Sequence, residues 1–255
     1  MKKHIPNTIT LCNLLCGCMA VKLALTCHFT YALVFILMGA VFDFFDGFSA
    51  RKLGVSSPIG VELDSLADLI TFGFAPTAMV YALSSAMLDL QAHTPTADAL
   101  GSWVYYVNYI AFLVVAFSAL RLANFNVDTR QTTSFIGLPT PANALLLASI
   151  TITLSHHPNW LQAISQDYAF VIGPLFLAVV SIVSSVMLVS EMPLFALKFK
   201  NFGWADNSVR YIFIITSALL LIIMALQSHT RAIAGIGAVI VWYIILSLLT
   251  ARKTK

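Results

Sequence analysis

Long apolar runs separated by short polar connectors recur along the whole chain, and their lengths predict membrane-spanning helices. The first run, about 8–27, follows a basic tip at Met1–His4, and Pro6, Asn7 and Asn13 interrupt it. With no small-residue cleavage pattern near its end, it reads as a span rather than a secretory signal. A turn near His28–Thr30 leads into the second span, YALVFILMGAVFDFF, whose apolar run ends at Gly47. The connector SARKLGVSSP is basic and partly amphipathic and is expected at the membrane surface. Within it, Ser57 and Pro58 read as the N-cap and first helical residue of a third span, about 58–86. Runs at about 102–123, 138–156, 168–190, 209–228 and 232–251 bring the total to eight. The expected fold is an all-α polytopic bundle of about eight transmembrane helices, forming a single domain over residues 1–255.

Composition sharpens this. Hydrophobic residues make up 59% of the 255 and charged residues 10%, against roughly 25% charged in a soluble domain, and the mean hydropathy is +0.88. The net charge of +3 matters less than where the basic residues fall. An even number of spans places both termini on one side, together with Lys2, Lys3, Arg51, Lys52, Arg121, Arg130, Lys198, Lys200, Arg210, Arg252, Lys253 and Lys255. Arg231 and Lys22 are left for the other side. By the positive-inside rule the termini face the cytoplasm, as in a bacterial inner membrane. No nucleic-acid partner is expected. All four cysteines, Cys12, Cys16, Cys18 and Cys27, fall in the first hydrophobic stretch, so a disulfide framework is not expected, and Cys12 and Cys16, at helical spacing without His or acidic companions, read as small packing residues rather than a metal site.

The acidic residues are distributed differently. Asp43 and Asp46 stand three apart near the end of the second span, and Asp64 and Asp68 four apart in the third. On helices each pair shares a face, about 5–6 Å between Cβ atoms. One ionised carboxylate in a membrane helix costs roughly 2.5–3.5 kcal/mol, so four together call for a compensating charge, and a divalent cation is the candidate. Both sets lie toward the predicted cytoplasmic face.

Written out, the stretch is D43-x2-D46-G47-x2-A50-R51-x8-G60-x3-D64-x3-D68, which resembles the signature of the CDP-alcohol phosphotransferase family at every position. The resemblance implies a metal-dependent membrane transferase with Asp43, Asp46, Asp64 and Asp68 around two ions, Mg²⁺ or Mn²⁺, and Asp68 as general base. It further implies that Gly47, Ala50 and Gly60 leave room for a cytidine nucleotide, while Arg51 holds diphosphate oxygens. Read without the motif, Arg51 and Lys52 are an ordinary cytoplasmic anchor pair.

Further segments, IPNTITLCNLLCG, LADLITFGFAP, RLANFNVDT, FIGLPTPANA and VSEMPLFALKFK, resemble those of phosphatidylserine synthases within that family. The narrower resemblance implies CDP-diacylglycerol and L-serine as substrates, phosphatidylserine and CMP as products, a homodimer in membrane lipid, and an acceptor-binding role for Arg121. A relative using glycerol 3-phosphate or inositol is the nearest alternative. A carboxylate-based transporter is another, but it predicts acids spread through several spans. Pro139 and Pro141 read equally as a rigid lead-in to the fifth span and as pocket residues, and Glu191 with Pro193 as structural or catalytic. His156 and His157, on the predicted far face, are assigned no chemistry.

Overall fold

A computed structural model of the chain describes residues 4–55, 57–89, 102–128, 134–156, 169–195 and 203–251. Several residues used in the sequence argument lie outside these, among them Lys2, Lys3, Arg130, Lys198, Lys200, Arg252, Lys253, Lys255 and His157.

Helix α1 spans His4–Leu25 and starts before the expected residue 8. Pro6 lies in its first turn, where a missing N–H leaves no intrahelical bond unmade. The turn after it falls at Thr26–His28 rather than His28–Thr30, with Cys27 in the left-handed region at φ 58°. Helix α2 then runs Phe29–Leu53, passing through Gly47 instead of stopping there. A helical glycine costs only about 1 kcal/mol relative to alanine, and the Ala50, Arg51, Lys52 and Leu53 that follow are good helix formers. The helix ends at Gly54, whose φ of 64° places its N–H on the carbonyls of Ala50 and Arg51. Half of the expected surface connector is therefore the last turns of α2.

Ser57 caps α3 (Pro58–Asp68) as predicted, its hydroxyl accepting from the Gly60 N–H at 3.0 Å. Directly after Asp68 the span widens into a π-helical stretch, Leu69–Phe74, in which the Ala75 N–H reaches back to the Ile70 carbonyl. It continues as α4 (Ala75–Asp89), so the span reaches past the expected residue 86. A 3₁₀ segment, Ser102–Phe112, passes into α5 (Leu113–Val127), followed by α6 (Thr140–His156), α7 (Ala169–Val189), α8 (Trp204–Gln227) and α9 (His229–Ala251). Among the described residues, seven helical stretches are long and apolar enough to cross a membrane. Helix α6, 17 residues long and apolar, joins them as an eighth, at the short end of the roughly 17–25 residues a span needs. The chain is an integral, multi-pass helical bundle.

The Pro58–Asp89 span is the most buried of these and α8 the least. Around the former, Ala20, Ala24, Ala32, Ala75, Ala78, Ala144 and Ala148 are buried with Ile36, Phe72, Met79 and Leu147. Small residues let membrane helices approach closely, and the packing of their backbones replaces the hydrophobic drive absent in lipid. Outward-facing Leu15, Phe44, Ile222 and Leu226 remain exposed, as lipid contact requires.

Among the described residues, a short ribbon stands apart from the helices. Residues Ser134–Ile136 (β1) pair antiparallel with Pro193–Phe195 (β2), Phe135 opposite Leu194. The Gly137 N–H continues the ladder to the Met192 carbonyl and the Leu138 N–H bonds the Met187 carbonyl, both at 3.0 Å. Gly137 has φ 75°, and a Cβ there would lie 2.6 Å from the Leu188 carbonyl oxygen, so both its conformation and its surroundings call for glycine. Three-residue strands are too short for an alternating pattern to reveal. Pro193, lacking an N–H, is tolerated as the first residue of β2.

Candidate active site

Helix geometry brings three of the four acids together and leaves Asp46 beside the set. Asp43 of α2 and Asp64 and Asp68 of α3 each place a carboxylate oxygen within 4.8 Å of the other two, a set that could hold a metal ion. Asp46, one turn beyond Asp43, is 6% exposed, and its Oδ2 accepts a 2.6 Å hydrogen bond from the Thr10 hydroxyl of α1. Asp68 Oδ1 accepts from the Asn13 amide at 3.0 Å. Asn13 is fully buried, and its backbone carbonyl receives the Thr71 hydroxyl from the π-helical stretch at 3.0 Å. Helix α1 thus holds two of the four acids from behind.

An all-oxygen, anionic set of this kind suits a hard divalent cation. The buried Asp64 Oδ1 has no hydrogen-bond partner, which leaves a lone pair directed at nothing in the protein. Both observations fit a metal centre.

The acids open onto a cavity of about 650 Å³. Pro6, Asn7 and Thr10 of α1 line it, with Gly47 and Ala50 of α2, Gly60 of α3, Arg121 and Phe125 of α5, and the Pro139–Pro141 segment. Pro139 and Pro141 thus do both things considered for them, lining the cavity and leading into α6. A Cβ on Gly60 would come within 3.1 Å of the Ser57 hydroxyl and 3.3 Å of the Asn7 side chain, narrowing this wall.

Arg121, also on the cavity wall, is 8% exposed. It donates to the Thr140 hydroxyl at 2.9 Å, lies 6.0 Å over the Phe125 ring, and leaves its buried Nε without a partner. A guanidinium this enclosed, with a donor unused, has the chemistry to receive an anion.

Arg51 is placed differently. It is exposed, does not line the cavity, and folds back so that its Nη1 is 3.4 Å from the position a Gly47 Cβ would take. Glu191 is exposed and away from the cavity, and Pro193 belongs to the ribbon.

Thr10, Asn13 and Thr140 escaped the sequence reading. The signal was present in α1, where Asn7, Thr10 and Asn13 recur every three residues and so trend along one face of an apolar helix.

Comparison with known proteins gives this arrangement its context. The profile of the CDP-alcohol phosphatidyltransferase family matches residues 3–180. CDP-diacylglycerol-serine O-phosphatidyltransferase of Bacillus subtilis (strain 168) is 35% identical over 150 residues, covering 59% of this chain and 76% of that protein. The protein of the same name from Helicobacter pylori (strain ATCC 700392 / 26695) is 30% identical over 167 residues, covering 62% of this chain and 60% of the relative. Archaetidylserine synthase of Methanothermobacter thermautotrophicus is 31% identical over 152 residues, 58% of each chain. The matched region takes in all four aspartates, the α1 residues behind them and the Arg121–Pro141 wall opposite, and on that ground the chain belongs to the CDP-alcohol phosphatidyltransferase family.

Proposed function

We propose that this chain transfers the phosphatidyl group of CDP-diacylglycerol to L-serine, releasing CMP and leaving phosphatidylserine in the bilayer. The observation that carries the reading is the pairing, across one 650 Å³ cavity, of an acidic cluster with a buried, partly unpartnered Arg121. The names of the relatives support the substrates.

Asp43, Asp46, Asp64 and Asp68 would hold two divalent ions, Mg²⁺ or Mn²⁺. When bound, such ions neutralise diphosphate oxygens and stabilise both the attacking and the leaving oxygen. Gly47, Ala50 and Gly60 leave the cytidine its volume, and Arg51 at the exposed end of α2 reaches the diphosphate from outside the cavity. Arg121 receives the serine carboxylate on its planar fork of donors. Asp68 acts as general base. It takes the serine hydroxyl proton as the serine oxygen bonds to the phosphatidyl phosphorus and the anhydride bond to CMP breaks, and it later gives that proton to solvent.

The lipid acyl chains stay in the membrane throughout while serine arrives from the water, which suits a cavity at the ends of membrane helices. The basic-residue asymmetry supports termini and active site on the cytoplasmic side of a bacterial inner membrane. The working unit is one domain over residues 1–255, paired as a homodimer.

An acceptor panel tests the assignment. Purified protein with CDP-diacylglycerol and Mg²⁺ or Mn²⁺ should release CMP with serine and release little with glycerol 3-phosphate or inositol. Preference for either alternative removes serine as acceptor, and no CMP release with any of them returns the carboxylate-based transporter.

A further inference from the structure

The family profile ends at residue 180, yet the chain beyond it is tied back to the cavity. Helix α9 packs on α6 and on β2, and α8 packs on α9. The Tyr243 hydroxyl of α9 donates to the Phe195 carbonyl of β2 at 2.8 Å. The Phe195 ring rests edge-on against Tyr243 and Phe213, with centroids 5.0 and 5.7 Å away. β2 in turn pairs with β1, and Gly137 and Leu138 bond to the Met192 and Met187 carbonyls. Two residues after Leu138 comes Thr140, the residue whose hydroxyl receives Arg121. Leu138, fully buried, packs in one cluster with Leu194, Phe213 and Tyr243. An unbroken path of hydrogen bonds and buried contacts thus runs from the C-terminal helix pair to the cation on the cavity wall.

We propose that the α8–α9 pair governs acceptor recognition, with Tyr243 as a positioning residue that, through the β1–β2 ribbon, holds the Thr140 hydroxyl against Arg121. The proposal rests on the reading that Arg121 receives the acceptor carboxylate. Tyr243 touches no substrate; it acts by fixing where the Pro139–Pro141 wall stands. Among the described residues the hydrogen bonds of this path end at Arg121 and Thr140 and none is made to Asp43, Asp46, Asp64 or Asp68, so the effect is expected on the acceptor rather than on the lipid donor.

Steady-state CMP release by the purified full-length protein, with serine and CDP-diacylglycerol varied separately, tests it. Tyr243→Phe removes one hydroxyl and leaves the ring packed. It should raise KM for serine about threefold to tenfold, the usual effect of losing one hydrogen bond, and leave KM for CDP-diacylglycerol unchanged. Thr216→Val is the control: it removes the hydroxyl that accepts the 2.9 Å bond from the Trp242 indole, at an α8 position outside the buried cluster of Leu138, Leu194, Phe213 and Tyr243, and should move neither KM. In a Thr140→Val background, where the Arg121 contact is already lost, Tyr243→Phe should add less than about twofold, since residues on one path are not additive. An unchanged serine KM in Tyr243→Phe, an equal rise in both KM values, or effects that multiply with Thr140→Val would each overturn the proposal. Absence of serine-dependent release in the wild type is a separate result: it removes the acceptor assignment, and this inference with it.

Discussion

Asn13 and Asp68 are 55 residues apart in the chain and joined by a 3.0 Å hydrogen bond from the Asn13 amide to a carboxylate oxygen. The two helices are tied a second time at the same residue, because the Asn13 backbone carbonyl accepts the Thr71 hydroxyl three residues beyond Asp68. An amide donor to a carboxylate is worth about 1.5–3 kcal/mol. Asn13→Leu should therefore lower kcat by about 10- to 100-fold while KM for CDP-diacylglycerol changes little. Equal changes in both parameters would mean that Asn13 shapes the donor site instead.

The base assignment for Asp68 makes a sharper claim. Asp68→Asn keeps the shape and one ligand oxygen but removes the basicity, so serine-dependent turnover should fall by about 10²–10⁴-fold. A purely ligating role predicts that excess metal restores the rate. Recovery to near wild-type turnover across a Mg²⁺ or Mn²⁺ titration would end the general-base assignment.

Thr10→Val tests the other support. Valine fills the same volume without the hydroxyl that Asp46 accepts from at 2.6 Å. If Asp46 ligates as proposed, loss of such a support weakens metal affinity by about 10- to 100-fold. The metal concentration giving half-maximal activity should rise accordingly and kcat at saturating metal should be preserved; a fall in kcat that metal does not relieve would contradict this.

Orientation can be read with a native residue. Cys27 is exposed at the α1–α2 turn, and Lys52 is exposed at the opposite end of α2. With Cys27 as sole cysteine, an impermeant thiol reagent should label intact cells from outside. With Lys52→Cys as sole cysteine it should not, and the reverse pattern inverts the topology.

Gly137→Ala should destabilise the protein by about 1–3 kcal/mol, as expected for a side chain forced into the left-handed region. The new methyl would also press on the Leu188 carbonyl. Thermal unfolding in detergent measures this, and an unchanged Tm would show that the β1–α6 corner relaxes freely.

The acids were legible in the sequence because charge in an apolar helix is conspicuous, and Asp43, Asp64 and Asp68 converge as helical spacing requires. Ser57 was legible for a local reason too, since a cap and its proline are adjacent. What escaped was long-range or weakly patterned. Thr10 and Asn13 looked like interruptions of a span, because the partners that give them meaning lie 36 and 55 residues away. The end of α2 was misplaced at Gly47 because a helix tolerates one glycine when good helix formers follow and a true left-handed cap waits at Gly54. The ribbon had no signal, since its strands are only three residues long and the chain of α6 and α7 lies between them. Arg121 stood out as a charge in an apolar run, but its hydrogen bond to Thr140 belongs to the folded state.

The π-helical stretch at Leu69–Phe74 has a mechanical consequence. In a regular α-helix each residue turns about 100°, so the direction of Asp68 would dictate that of every side chain after it. The wider turn breaks that gearing and admits an extra residue without ending the helix. Upstream of it, α3 can point two aspartates into water and charge; downstream, α4 can bury Ala75 through Val80 on every side. The span behaves as two shafts joined by a slipping coupling, each phased to its own surroundings.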